Sequence, residues 1–250
     1  MTVIGIISAK GGVGKTTISA NLGIALVKAL GKRVLVIDGN ITTPTLGLQL
    51  GMLSQEKTLD DVLEDRDTLQ DSTYIHPSGL HIVPASLSLR QPYPDPEKLK
   101  DKLVEVRDKY DFIIIDGAAG IGREVISVIE ASDSVLVVSN PELSSVVAAI
   151  KAIKVSKSLN VPVIGLAINR VENKKYEMKA EDIKNLTESD IVSIIPFDKN
   201  IPAGVKQMEP AFLSKNSRSR RAFIELAEYV SGEEIPKQGF MQKLKSVFRH

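Results

Sequence analysis

The sequence predicts a doubly wound α/β fold: a mostly parallel sheet with helices on both faces. Three observations predict it. Short runs at residues 3–7, 33–37, 112–115, 134–138 and 163–168 are dominated by valine and isoleucine with little alternation, as expected of strands buried on both sides. Helical patterns at residues 18–30, 96–109, 143–159 and 219–230 are interleaved with these runs or follow them. A glycine-rich turn at residues 8–17 joins the first run to the first helical pattern.

Composition sets the outer limits. The chain has 250 residues, which suits one α/β domain or at most two small ones. Hydrophobic residues make up 43% and charged residues 25%, as in an ordinary globule, and the net charge of +1 gives no global field for nucleic acid. No apolar run is long enough to span a bilayer and the N-terminus enters a strand directly, so a cytoplasmic location is expected. There is no cysteine, which excludes a thiolate-held cluster.

The turn itself reads Ser8-Ala9-Lys10-Gly11-Gly12-Val13-Gly14-Lys15-Thr16-Thr17. Strand, glycine-rich turn and helix form the arrangement that grips a nucleotide phosphate. Glycines let backbone N–H groups converge on phosphate oxygens, and a helix N-terminus favours the negative charge. In that arrangement Lys15 reaches the β- and γ-phosphates of ATP, and the Thr16 hydroxyl holds Mg²⁺.

With Lys10 ahead of the glycines, the stretch KGGVGKTT resembles the deviant Walker A motif of the MinD/ParA ATPases. The chain is most similar to the MinD branch, its archaeal members in particular. The resemblance implies a P-loop NTPase fold, an ATP-dependent homodimer, and a Lys10 that crosses the dimer interface to the partner's nucleotide. Relatives of the motif that use cysteines, such as iron–sulfur carriers and arsenite-pump ATPases, are set aside because the chain has none.

Residues 33–40 read RVLVIDGN. The resemblance assigns Asp38 to organising Mg²⁺ and places Asn40 where the family has a second aspartate, which positions the attacking water. Asparagine keeps the shape but can neither carry charge nor accept a proton. Slow natural hydrolysis, another residue positioning the water, and an engineered trap all stay open. Residues 42–48 resemble the first switch region. Residues 54–78 read as a short helix with surface loops, and His76 as a solvated loop side chain.

Residues 80–83 and 191–195 are expected as further strands. Residues 111–120, DFIIIDGAAG, read as a strand ending at Asp116, in a Walker B arrangement that would meet the Mg²⁺ shell. The following small residues resemble the second switch, with the Gly120 N–H approaching the γ-phosphate. Leu143, Val146, Val147, Ile150, Ile153 and Val155 give the next long helix an apolar face expected in the core. By the resemblance, Asn169 and Arg170 at a strand end and the loop of Pro196, Phe197 and Asp198 contact the adenine.

Residues 215–221 read KNSRSRR. Lys215, Arg218, Arg220 and Arg221 suit DNA phosphates, a solvated helix start or an anionic lipid surface, and all three readings stay open. A nucleotide-binding domain over residues 1–231 is followed by a linker at 232–239 and a helical pattern at 240–250. In that pattern Phe240, Met241, Leu244, Val247 and Phe248 share one face and basic residues the others, as in an interfacial helix. It resembles the membrane-targeting tail of MinD. The expected cycle runs between a cytoplasmic form and an ATP dimer on the inner face of the cell membrane, with an unidentified activator or cargo protein. A DNA-partitioning ATPase and an ATP-gated scaffold with negligible turnover are the alternatives.

Overall fold

The structure, a computed structural model, describes residues 1–53, 55–88 and 92–233. β1 (Thr2–Ser8) runs through the glycine-rich turn into α1 (Lys15–Leu30), then β2 (Val34–Asp38), α2 (Leu46–Gln49) and α3 (Leu59–Leu63). β3 (Tyr74–Ile75), β4 (His81–Val83), α4 (Leu99–Lys102) and β5 (Phe112–Ala119) follow. Then come α5 (Arg123–Glu130), β6 (Ser134–Ser139), α6 (Leu143–Ser158), β7 (Val163–Val171), α7 (Ala180–Thr187), β8 (Ile191–Pro196), α8 (Asn200–Gln207) and α9 (Arg220–Ser231).

One eight-stranded sheet has the order β3-β4-β2-β5-β1-β6-β7-β8, and among the described residues only the β3–β4 pairing is antiparallel. Alternate strand residues face opposite layers. Ile113 and Ile115 of β5 join Leu35, Ile37, Val135 and Val137 in a core with α3 to α6. Ile114 joins Val36, Ile82 and Leu136 in a second core under α1 and α9. Burying each such side chain stabilises the fold by about 1.5–3 kcal/mol. Both layers are apolar, which is why the strands carry no hydrophobic–polar alternation. α1 is buried on most sides, and a Cβ at its Gly23 would lie 2.8 Å from Val36 Cγ2, so glycine permits the close approach of helix to sheet.

Several expectations are corrected. Residues 96–109 do not form one helix: α4 is a single α-helical turn between 3₁₀ turns at Pro96–Lys98 and Leu103–Lys109. β5 does not end at Asp116 but continues to Ala119, with a register irregularity between Ile6 and Ser8 where it pairs with β1. His76 is buried rather than solvated. Its Nδ1 accepts the Ser78 N–H at 3.1 Å and closes a turn in which the Gly79 N–H donates to the His76 carbonyl at 2.7 Å. On α6, Val146 and Ile153 are in the core, but Leu143 and Val147 are exposed. α9 ends on Gly232 in the left-handed region. Of the linker, residues 234–239, and all of the 240–250 pattern, lie outside the described residues. Among the described residues no helix is long and apolar enough to cross a membrane.

Candidate functional site

The carboxyl ends of β1, β2, β5 and β7 converge on one edge of the sheet, where open α/β sheets bind ligands. A cavity of about 680 Å³ opens there, lined in part by Gly11, Gly12, Gly14, Lys15, Thr16 and Thr17 of the first turn. Asn40, Asn169, Arg170, Phe197 and Asp198 line it as well. An apolar wall of Ile201, Pro202 and Val205 comes from α8. Val13, Gly120 and Pro196 are not in the lining.

The glycine-rich turn is locked from beneath. Gly14 has φ of 100°, and a Cβ there would lie 2.2 Å from Asn169 Nδ2. Only glycine meets both conditions at low cost. Asn169 donates to the Val13 carbonyl at 2.8 Å and accepts from Arg170 N–H at 2.9 Å. One N–H and one lone pair of the amide remain for a ligand. Asn169 therefore fastens the turn as well as lining the cavity.

Asp38 and Asp116 are both buried directly below this turn. Asp38 Oδ2 accepts N–H groups of Thr45 (3.2 Å) and Leu46 (3.0 Å), and Oδ1 accepts that of Asn40 (3.2 Å). Burial, and then the charge of Asp116, push Asp38 well above the ordinary carboxylate range despite those bonds. Asp116 Oδ1 accepts the Ser19 hydroxyl at 2.8 Å. Burial raises Asp116 to about 6, while the neighbouring hydroxyls of Thr16 and Ser19 and the charge of Lys15 hold the rise back. Burial likewise lowers Lys15, and Asp116 partly restores it. Asp116 Oδ2 is buried with no hydrogen-bond partner. Two buried carboxylates, an unsatisfied oxygen and the Thr16 hydroxyl make an oxygen donor set that fits a hard divalent cation such as Mg²⁺. Among the described residues no cluster of three or more His, Asp or Glu side chains suggests a transition-metal centre.

The first switch loop is fastened at four points: by Asp38, by Thr16 through its hydroxyl contact with Thr45 at 3.0 Å, by Asn40, and by Glu124 of α5. Asn40 Nδ2 donates to the Thr43 carbonyl at 2.5 Å, and its Oδ1 accepts from Thr43 N (3.2 Å) and Oγ1 (3.1 Å). Glu124 Oε1 accepts from Thr42 N (2.9 Å) and Oγ1 (2.7 Å). Just after β5, the Gly120 N–H donates to the Ser8 carbonyl at 3.2 Å, so it is not presented to a phosphate in this conformation.

Lys10 points to its own chain. Its Nζ donates to Ser144 Oγ (2.9 Å) and Ser145 Oγ (3.0 Å) and lies 3.3 Å from the Glu142 carboxylate at the start of α6. The exposed Leu143 and Val147 flank this contact on the same helix.

Asp198 has a structural occupation. Its Oδ1 accepts Asn200 N (2.9 Å) and Nδ2 (2.8 Å). Its Oδ2 accepts Ser217 Oγ (2.8 Å), Ser219 N (3.0 Å) and Ser219 Oγ (3.0 Å). Burial alone would raise this carboxyl, but those donors outweigh it and leave it at about 2. The side chain thus ties the cavity's base-side loop to the segment leading into α9. In that segment Arg220 is turned inward: its Nε donates to the Phe212 carbonyl at 2.9 Å, its NH2 to that of Ser214, and its guanidinium lies over the Phe212 ring. Arg221 pairs with Glu225 at 2.7 Å. Of the four cations that one open reading assigned to DNA phosphates, Arg220 is thus turned into the protein.

Residues outside the sequence expectations are Ser19, Glu124, Glu142, Ser144, Ser145 and the α8 wall. Ser19 alone had a signal, because four residues after Lys15 on a helix is the same face. The others reach the site through tertiary packing.

Comparison with known proteins places this geometry among relatives. The AAA domain family model matches residues 1–162. An uncharacterized ATP-binding protein of Methanocaldococcus jannaschii is 35% identical, with the alignment covering 99% of this chain and 98% of the relative. The solved cell division ATPase MinD of Pyrococcus furiosus is similar with a TM-score of 0.88 at 32% identity, over 92% of this chain and 98% of that one. The septum site-determining protein MinD of Pyrococcus horikoshii, solved in complex with Mg-ADP, gives 0.86 at 31% identity, over 96% and 98% of the two chains.

Proposed function

The chain belongs to the AAA-domain family and, within it, to the MinD/ParA ATPases, and from that premise we propose that it is a MinD-like switch. It binds ATP with Mg²⁺, dimerises in that state and docks on the inner face of the membrane through residues 240–250. There it positions a cellular structure, such as a division site or polar assembly, with an activator or cargo protein. One observation carries the nucleotide reading: buried Asp38 and Asp116, the latter with an unsatisfied oxygen, lie below a glycine turn that presents Lys15 and Thr16.

Mg²⁺, when bound, offsets charge on the phosphate oxygens. Thr16, Asp38 and Asp116 would hold it, directly or through water. The residues themselves do the rest. The N–H groups of Gly11 to Thr17 and the α1 N-terminus cradle the phosphates, and Lys15 neutralises them. Arg170, Phe197 and the α8 wall enclose the base side, with the free donor and acceptor of Asn169 at its floor. Lys10 must leave Ser144, Ser145 and Glu142 to reach a partner's nucleotide. The exposed Leu143 and Val147 gain burial when a second copy covers them.

Hydrolysis is slow in this reading. Asn40 has no carboxylate to take a proton from water, and its amide is spent on Thr43. The same observation favours a second reading, in which the chain is an ATP-gated scaffold with negligible turnover. A single-turnover phosphate-release measurement separates the two: slow release to completion supports the ATPase, and ATP retained over hours supports the scaffold.

The membrane reading is tested by co-sedimentation with phosphatidylcholine/phosphatidylglycerol vesicles and, in parallel, with duplex DNA. Pelleting with vesicles in ATP–Mg²⁺ but not in ADP–Mg²⁺ is expected. ATP-dependent pelleting with DNA and none with vesicles would replace the reading by DNA partitioning.

A further inference from the structure

A second recess, of about 480 Å³, opens at the other end of the sheet, where β2 and β4 begin. The nucleotide reading does not use it. Three cations, Lys32, Arg33 and Lys109, stand on its lining. Two have a carboxylate partner: Arg33 is 3.0 Å from Asp111, and Lys32 pairs with Glu233. The Lys109 ammonium is met by the neutral amide oxygen of Gln70. The recess therefore carries three positive charges against two contacting negative ones. Thr73 and Tyr110 are also in the lining, the Thr73 hydroxyl donating to the Leu69 carbonyl at 2.6 Å and Tyr110 Oη lying 2.9 Å from His81 Nδ1. Val34 and Val106 back the recess from the core, and the largely exposed Ile75 stands at its lip.

We propose that this recess binds the phosphate headgroup of an anionic phospholipid. The cations match a phosphate, and the exposed Ile75 at the lip matches the start of an acyl chain. Among the described residues no glycine-rich loop of the kind that cradles a nucleoside polyphosphate borders it. Its place in the molecule selects lipid over soluble phosphate. Glu233, which pairs with Lys32, stands seven residues before Phe240, where the apolar pattern read from the sequence begins. Seven extended residues reach at most about 25 Å. A surface that takes up the tail therefore lies within reach of the recess, and a phosphate entering it competes with Glu233 for Lys32. The inference rests on the membrane reading, extending it from a tail that inserts to a body that recognises headgroup charge.

The test uses the full chain and two probes. Dihexanoyl phosphatidylglycerol, kept below its micelle concentration, is titrated and followed by amide NMR shifts around Thr73 and Lys109. Saturable binding is expected, with no comparable response to dihexanoyl phosphatidylcholine. Each cation near an anionic lipid strengthens binding about fivefold, so Lys32→Gln with Lys109→Gln should weaken it roughly 30-fold while ATP binding is unchanged. Equal response to both lipids, or an unchanged double variant, would overturn the proposal. Inorganic phosphate saturating the same residues at the same concentration would assign the site to a soluble anion instead. With vesicles and ATP, the double variant should still pellet but lose its preference for phosphatidylglycerol. Wild type that ignores vesicles yet binds the soluble lipid would sink the tail reading and leave the recess standing.

Discussion

Asn40 stands in the turn just after β2, on the lining of the candidate nucleotide cavity. Its amide donates to the Thr43 carbonyl, a bond no carboxylate can make. Asn40→Asp should therefore loosen the turn and supply a hydrogen-bond acceptor for the attacking water. Single-turnover phosphate release should rise roughly tenfold to a thousandfold, about 1.4–4 kcal/mol of barrier. An unchanged or lower rate would show that position 40 does not limit hydrolysis. The two lysines of the turn should separate cleanly. Lys15→Ala should weaken ATP binding by roughly a hundredfold or more in calorimetry. Lys10, half-buried and held by Ser144 and Ser145, should be dispensable for binding and needed for the dimer. Asp198 offers a pH test. Its folded value, about 2, lies below the ordinary 3.8, so its stabilisation is fully present above pH 3.8 and is lost as pH falls toward 2. Asp198→Asn should cost about 1–2 kcal/mol at pH 7 in urea unfolding, and the difference from wild type should shrink below pH 3.

At the scale of elements, the loop of residues 42–48 is held by side chains from three elements: Asp38 of β2, Thr16 of α1 and Glu124 of α5. Glu124→Ala removes both bonds to Thr42, and amide exchange at Thr42 and Thr43 should accelerate roughly five- to thirtyfold. Unchanged exchange would mean that α5 does not restrain the loop. The elements legible in the sequence were those with a strong local signal: Val/Ile runs buried on both faces, and helices long enough to show a stripe. α7 buries little more than Ile183 and Thr187, and α8 contains Pro202 and Gly204, so neither stood out from loop sequence. β3 has two residues, too few for any pattern. The continuation of β5 through Gly117 was hidden because small residues read as loop, whereas a Cβ there would lie 2.8 Å from the Ile6 carbonyl. Lys15, Thr16, Asp38 and Asp116, which the fold brings together, were legible because each lies in one of three short segments at residues 8–17, 33–40 and 111–120. The partners of Lys10, Thr42 and Asp198 lie 132, 82 and 21 residues away, beyond any local pattern.

On the scale of the whole molecule, the candidate nucleotide cavity lies at the carboxyl edge of the sheet, and Glu233, just after α9, pairs with Lys32 at the amino edge. Coupling between them is simplest through dimerisation. A single short amphipathic segment binds a membrane weakly, because it must fold as it binds, and two on one dimer bind far better. Removal of residues 240–250 should therefore abolish vesicle binding and leave the ATP dimer intact, and full vesicle binding by the truncated chain would remove the tail from the account. The dimer itself is the central claim. It is tested most directly by sedimentation velocity of wild type and Lys10→Ala, each with ATP–Mg²⁺ and with ADP–Mg²⁺. A species of twice the 27.2 kDa chain mass is predicted for wild type in ATP–Mg²⁺ alone, with monomer in the other three conditions. Wild type that stays monomeric in ATP–Mg²⁺, or dimerises equally in ADP–Mg²⁺, would contradict the account.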